Sequence, residues 1–394
     1  MSQYSSGPAE KDLKHDYEND QPALNNTPSI AGEAQVHDDV FGDITDEGPN
    51  YRAVGWIGTV ALMMKTQVGL GVLSIPAVFD VLGILPGIIC LIVIAAITTW
   101  SDYMIGVFKR NHPQIYGIDD AGFLIFGRVG REIFGIAFCL FWIFVAGSGM
   151  LGISIGLNAV SLHGTCTAVF VAVAAICGFL LASVRTLGRI SMLAWVGLVC
   201  IMTAIFTVTI AVGVQDRPAA APQEALGSAG HLIKRVAYGI SLPGLLATTV
   251  LVIHFAAKYV FVRLLRGTKH LSSNSAIHWG TWLACTIITT VIAYLIASGI
   301  PVFGGLVSLV GALLGTLMSF QLYGFMWLYD NWAKGKRDPN MKWYLMVAFS
   351  VFVIVSGTFL MIGGTYGSIV GIIDSYKASG GSAAFSCADN SNST

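Results

Sequence analysis

From about residue 53 onward the chain is a series of long apolar runs separated by short polar stretches. A run of about 18 apolar residues is long enough to cross the hydrocarbon core of a bilayer as a helix. Nine runs are predicted to do so: 53–80, 83–108, 131–161, 165–184, 189–214, 236–262, 276–299, 305–329 and 343–373. The pattern predicts an all-α polytopic membrane protein. Ser148, Gly152 and Gly156 recur at every fourth position of the third run, as Gly311 and Gly315 do in the eighth. Small residues at that spacing let helix backbones approach closely, so these faces are expected inside the bundle. Gly363, Gly367 and Gly371 repeat the spacing in the ninth run.

The first run is interrupted. Lys65-Thr66-Gln67-Val68-Gly69-Leu70-Gly71-Val72-Leu73-Ser74-Ile75-Pro76 places two glycines and a proline in the middle of an apolar span. Glycine and proline are poor helix formers, and Pro76 lacks the N–H that would bond back to Val72. Non-helical backbone persists at membrane depth only where it faces protein or a watery cavity. A broken helix of this kind can hold a carboxylate on its freed N–H groups and an ammonium or cation on its freed carbonyls. The alternative is a tight-packing glycine face with a proline kink.

Lys65 lies about 12 residues, or ~18 Å, into the span. A lysine at that depth costs roughly 2.5–3.5 kcal/mol on insertion scales. It is a candidate partner for a substrate carboxylate, a fixed charge where a sodium ion would otherwise sit, or a group in proton coupling; the competing reading is snorkelling to lipid phosphates. His254, mid-way along the sixth run and four residues before Lys258, is a second candidate for coupling because imidazole titrates near neutral pH. A histidine bonded to a neighbouring helix is the equal alternative. Asp80, Asp102 and Asp330 sit toward run ends and are expected at the interface.

Basic residues orient the chain. Loops after runs two, four, six and eight carry Lys109, Arg110, Arg128 and Arg131; Arg185 and Arg189; Arg263, Arg266 and Lys269; and Lys334, Lys336, Arg337 and Lys342. The positive-inside rule then places these loops and the N-terminus in the cytoplasm and the C-terminus outside. Composition agrees with a membrane protein: 11% of residues are charged and the mean hydropathy is +0.70, where soluble domains carry about 25% charge. The zero net charge hides an asymmetry, since residues 1–53 hold 11 of the 22 acids but 3 of the 22 bases. The acidic start, 1–50, reads as a disordered cytoplasmic tail, with no cleaved signal peptide. The seven cysteines are scattered and read as packing residues, so no disulfide framework is expected. Enzyme and metal signatures are read as weak or absent, H-E-x-x-H, G-x-S-x-G and the Walker sequence among them. The expectation is a non-enzymatic protein with no cofactor, no metal and no nucleic-acid partner.

Four stretches carry a resemblance. Met64 to Pro76 resembles the first helix of fungal members of the amino acid/auxin permease family. Ala121-Gly122-Phe123-Leu124-Ile125-Phe126-Gly127-Arg128-Val129-Gly130 is similar to their segment before helix three. The stretch from Ala225-Leu226-Gly227-Ser228-Ala229-Gly230 to Ala257-Lys258-Tyr259-Val260-Phe261-Val262-Arg263 resembles the approach and body of their eighth helix. Ala297-Ser298-Gly299-Ile300-Pro301-Val302-Phe303 is also similar to family sequence. The resemblance covers about residues 40–375.

It implies a secondary active transporter, with proton-coupled uptake of neutral, often aromatic, amino acids. It also implies an inverted-repeat, broken-helix bundle of about eleven spans, with the proton as coupling ion. The site residues it implies, with those read from the sequence above, are Lys65, Thr66, Gly69, Leu70, Gly71 and Ser74 for substrate, and Lys65 and His254 for coupling. The membrane is expected to be the plasma membrane, with the vacuolar membrane as the alternative. Against the family pattern the fifth run here matches helix five and the sixth matches helix eight. Helices six and seven are unmatched, and the expected junction is near Ala221-Pro222-Gln223-Glu224-Ala225-Leu226. The expected layout is therefore a first repeat of five spans over 51–214, a loop carrying the junction over 215–235, four spans over 236–373 and a polar tail over 374–394. The alternative function is a non-transporting nutrient sensor or an inactive shortened product.

Overall fold

A computed structural model describes residues 37–38, 42–43, 54–68, 75–185, 187–214, 230–271, 273–300, 303–378 and 385–391. The acidic N-terminal segment lies outside the described residues, apart from a two-residue antiparallel pairing of β1 (His37–Asp38) with β2 (Gly42–Asp43). The rest is helical. In order the helices are α1 (Trp56–Gln67), α2 (Ile75–Leu82), α3 (Ile84–Asn111), α4 (Ile118–Ser161), α5 (Thr167–Ala182), α6 (Leu187–Val214), α7 (His231–Leu265), α8 (Ala276–Gly299), α9 (Phe303–Val310), α10 (Leu322–Arg337) and α11 (Met341–Ala378). Two single π-helical turns, Gly311–Gly315 and Leu317–Gln321, join α9 to α10.

Among the described residues seven helical stretches are long and apolar enough to cross a membrane. The other two predicted spans are present in shorter form. The fourth is the 16-residue apolar helix α5, and the first is divided between α1 and α2, with residues 69–74 outside the described residues. The molecule is thus an all-α polytopic membrane protein. The third span begins earlier than hydropathy suggests, because α4 starts in the polar segment at Ile118 and bends at Gly127 (φ 69°, ψ −158°). That backbone region is essentially restricted to glycine. The bend brings Gly122 and Gly130 together, so that a Cβ on Gly122 would lie 2.8 Å from the Gly130 carbonyl oxygen.

α4 and α7 share the largest interface, followed by α6 and α7. The main core lies where they meet α1, α5, α8 and α9, built from Leu62, Ile143, Met150, Val171, Ile201, Leu251, Ile253 and Leu306. A second core of Met104, Phe108, Phe134, Leu322 and Met326 binds α3 and α10 to the start of α4. Ser148, Gly152 and Gly156 are buried as expected, and a Cβ on Gly156 would come within 2.9 Å of Leu242 Cδ2. The expectation holds for Gly315, whose Cβ position lies 3.5 Å from the Phe141 ring of α4, but needs correcting for Gly311. Gly311 is exposed with nothing near its Cβ position, and both glycines fall in a π turn. An extra residue per turn rotates that face out of register with its neighbours. Gly363, Gly367 and Gly371 likewise have open space beside them.

The expectation of no disulfide is also overturned. Cys166 and Cys387 are bonded across 221 positions. Sequence spacing cannot reveal a pair that only chain return brings together. The polar tail comes back at Phe385–Ser391 to the end of the bundle opposite the basic loops, touching Asn158, Thr167, Lys234 and Ser298.

Candidate functional site

Lys65 sits in the last turn of α1, two residues before its end at Gln67. Its side chain is completely buried, so it does not snorkel to a lipid surface. It passes between α6 and α7 through a gap that two glycines keep open. A Cβ on Gly197 would lie 2.9 Å from Lys65 Cε and 2.6 Å from Ala247 Cβ, and one on Gly244 would lie 2.8 Å from the Gly197 carbonyl oxygen. Beyond the gap, Lys65 Nζ donates a hydrogen bond to Thr248 Oγ1. The Thr248 hydroxyl in turn donates to the Gly244 carbonyl oxygen at 3.1 Å, so its single donor is used within α7 and the lysine takes one of its two lone pairs. An ammonium carries three donors. The arrangement therefore buries a lysine nitrogen against one hydroxyl beside the C-terminal end of α1.

The other predicted residues are placed differently. Thr66 is half-buried, and its hydroxyl donates to the Met63 carbonyl oxygen at 2.8 Å, within its own helix. Gly69, Leu70, Gly71 and Ser74 lie outside the described residues. His254 is fully buried on α7, but not beside Lys65. It follows Thr248 by six positions, a rotation of about 600° and a rise of ~9 Å, which puts it on another face of the helix. There its ring meets Trp282 edge-on at 5.0 Å. The ring faces the backbone at Ala182 and Val184, and neither nitrogen makes a well-formed hydrogen bond. Trp282 Nε1 donates to the Ser183 carbonyl oxygen at 2.7 Å, so this pocket locks α5, α7 and α8 together. Asp330 accepts from His112 Nε2 at 2.7 Å and Asn111 Nδ2 at 2.8 Å, tying α3 to α10.

Helix α7 is continuous from His231 to Leu265 with Pro243 inside it. The glycines and the proline over Gly239–Gly244 therefore leave the helix unbroken, and Gly244 serves close packing. Several residues make buried or interhelix polar contacts that the sequence reading passed over. Thr248 is one, since a threonine in an apolar helix gives no distinguishing signal. Asp120 is another. It joins the start of α4 to α7 through Arg266 at 3.4 Å and to Arg131 at 3.7 Å, and it accepts from the Tyr116 and Gly117 N–H groups at 3.0 and 3.3 Å. The expected absence of G-x-S-x-G needs correcting, because Gly152-Ile153-Ser154-Ile155-Gly156 has the spelling of that hydrolase nucleophile turn. Here it is continuous helix, and the Ser154 hydroxyl donates to the Leu151 carbonyl oxygen at 2.8 Å. The strand-to-helix turn that such chemistry needs is not present at this serine.

Comparison with known proteins identifies the family. No solved structure matches. A "Transmembrane transporter" of Gibberella moniliformis is 29% identical over 93% of this chain and 97% of its own length. A second of the same description, from Fusarium pseudograminearum, is 28% identical over 90% of each chain. The "N amino acid transport system protein" of Neurospora crassa is 26% identical over 88% of this chain and 92% of its own length. The alignment to the first of these runs over 462 residues, more than the 394 of this chain. These are names of transport proteins rather than catalysts. The family described as "Transmembrane amino acid transporter protein" matches in two pieces, 52–243 and 228–370, and the chain belongs to that family, as an amino acid transporter of the amino acid/auxin permease type.

Proposed function

We propose that the broken first helix and buried Lys65 form an amino acid site of proton-coupled uptake type, serving neutral and aromatic substrates. We further propose that this 394-residue chain is a shortened form with little uptake of its own. The observation that carries the first part is the complete burial of Lys65 against Thr248 next to the end of α1. A buried lysine held by one hydroxyl supplies positive charge without a bound cation, which suits proton rather than sodium coupling. Gly69, Leu70, Gly71 and Ser74 would contribute substrate-facing backbone and a hydroxyl.

Two facts support the shortening. The alignment with the Gibberella relative exceeds the length of this chain, and the family match breaks into two pieces near 228–243. That break adjoins the junction expected at Ala221–Leu226. Losing two spans there would remove the second broken helix while leaving every later helix in its usual direction, which matches the intact alternation of basic loops. An unbroken α7 supplies no replacement. The orientation proposed is N-terminus cytoplasmic and tail outside, in the plasma membrane or the vacuolar membrane. The Cys166–Cys387 bond favours an oxidising compartment for the tail.

The test is labelled neutral amino acid uptake in permease-deficient yeast, with and without an uncoupler. The 394-residue chain is expected to give little uptake. A version carrying two spans of a relative between Gln223 and Glu224 is expected to give uncoupler-sensitive uptake. Robust uptake by the chain as it stands would refute the shortening. An active restored version whose uptake ignores the uncoupler would refute proton coupling.

A further inference from the structure

The end of the bundle opposite the basic loops holds a polar pocket that the chain fills with its own tail. Its floor is one face of α4, where Ser154 and Asn158 are both completely buried one turn apart. Asn390 enters it side chain first. Its Oδ1 accepts from Asn158 Nδ2 at 2.8 Å, and its Nδ2 donates to Ser154 Oγ at 2.9 Å. Asn158 Nδ2 also donates to Thr167 Oγ1 at 2.7 Å, and Thr167 Oγ1 donates to the Ala388 carbonyl oxygen at 2.7 Å. Around this centre Lys234 Nζ donates to the Ser391 carbonyl oxygen at 2.6 Å, and Phe385 N–H donates to the Ser298 carbonyl oxygen at 2.9 Å. Seven tail residues thus bridge α4, α5, α7 and α8. Beneath them Gly156 packs on Leu242 of α7, fewer than two turns from Thr248.

We infer that Phe385–Ser391 is a redox-released plug, held over the Ser154–Asn158–Thr167 pocket by the Cys166–Cys387 bond. The argument turns on what holds the segment. A handful of hydrogen bonds, each nearly balanced by bonds to water, does not offset the ordering of seven residues. The disulfide changes this by confining the tail beside its pocket before any hydrogen bond forms. Cys387 is exposed and Cys166 half-buried, so an external thiol can reach the bond. Thiol–disulfide exchange then leaves both cysteines as thiols while two equivalents of external thiol are oxidised to their own disulfide. Released, the tail exposes buried hydroxyl and carboxamide groups to water at the mouth of the α4–α7 interface. A covalent brace that never leaves would need no side chain seated in the pocket; Asn390 is seated there with both ends of its carboxamide engaged.

This inference rests on the outside-facing tail proposed above, and the experiment separates the two. Ser154→Cys is expressed in yeast as the full chain and exposed to a membrane-impermeant maleimide. Labelling at residue 154 is quantified from its own peptide, with Cys166 and Cys387 mapped separately. A non-reducing digest is expected to contain the Cys166–Cys387 pair. Labelling of residue 154 in intact cells is expected to rise roughly tenfold or more on reduction by an impermeant phosphine, or in Cys387→Ser. Asn390→Ala, with the disulfide intact and folding checked by its thermal midpoint, is expected to raise labelling partway. Absence of the disulfide-linked pair overturns the inference, as does a thermal midpoint that falls on reduction with no gain in labelling. Labelling that rises only in permeabilised cells keeps the plug and overturns the orientation.

Discussion

Lys65 Nζ and Thr248 Oγ1 are hydrogen-bonded although 183 positions separate the two residues. The contact joins the end of α1 to the middle of α7, and it is the one polar partner that the lysine receives from α7 among the described residues. A buried charge is costly when its partner is removed but not when the charge itself is replaced by an apolar side chain of similar size. Thr248→Val is therefore expected to destabilise the protein by about 1–3 kcal/mol. Lys65→Met is expected to be neutral or stabilising, and the double variant should recover most of the Thr248→Val loss. Thermal unfolding in detergent of all four proteins closes the cycle. Additive effects would mean that the two side chains do not interact.

The same lysine separates structure from transport. In the version with two spans restored, Lys65→Met is expected to lower amino acid uptake or move its pH dependence, because the fixed charge is gone from the proposed site. Uptake at the unmodified rate and with the unmodified pH profile would leave Lys65 a packing residue.

Gly71→Val, in that restored version, is expected to abolish uptake while leaving surface expression near normal. A branched side chain would crowd the proposed backbone site and favour closing it. Unchanged uptake would remove Gly71 from the site.

Two glycines of identical composition cost should behave oppositely. At Gly244 an added methyl group meets Ile201 and the Gly197 carbonyl oxygen, so Gly244→Ala is expected to cost about 1–3 kcal/mol through overpacking. At Gly363 nothing lies within 4 Å of the Cβ position, and Gly363→Ala is expected to gain up to ~1 kcal/mol in helix propensity. Thermal midpoints that move together would show that the α6–α7 crossing is not close.

Gly127→Ala is expected to destabilise by about 1–3 kcal/mol, because φ 69° with ψ −158° is strained for any side chain. No crowding contributes, since the Cβ position is open. A midpoint equal to that of the unmodified protein would mean that α4 does not bend there.

Hydropathy was enough to find an apolar helix at each predicted run, because a span must present an apolar surface about as long as the bilayer is thick, although α4 starts 13 residues before its run and α10 ends eight residues after its own. Its errors fall where another force acts. α4 begins before its apolar run because Asp120 binds the Tyr116 and Gly117 N–H groups at its start. α7 likewise begins five residues before its run, at His231, and stays continuous through Pro243. The glycine repeats show the same division. Spacing marks a face that could pack, but only a partner decides whether it does, and Gly156 has one while Gly363 does not.

The site divides along the same line. Lys65 was legible in the chain because a lysine deep in an apolar run is rare and expensive, whatever surrounds it. Thr248, the role of Gly197 and Gly244, the separation of His254 from Lys65 and the pairing of Cys166 with Cys387 were not legible. Each depends on which helices meet, on which face, and where the tail returns. Local sequence determines the free energy of a residue entering the membrane; its neighbours there are set by helix packing between segments far apart in the chain.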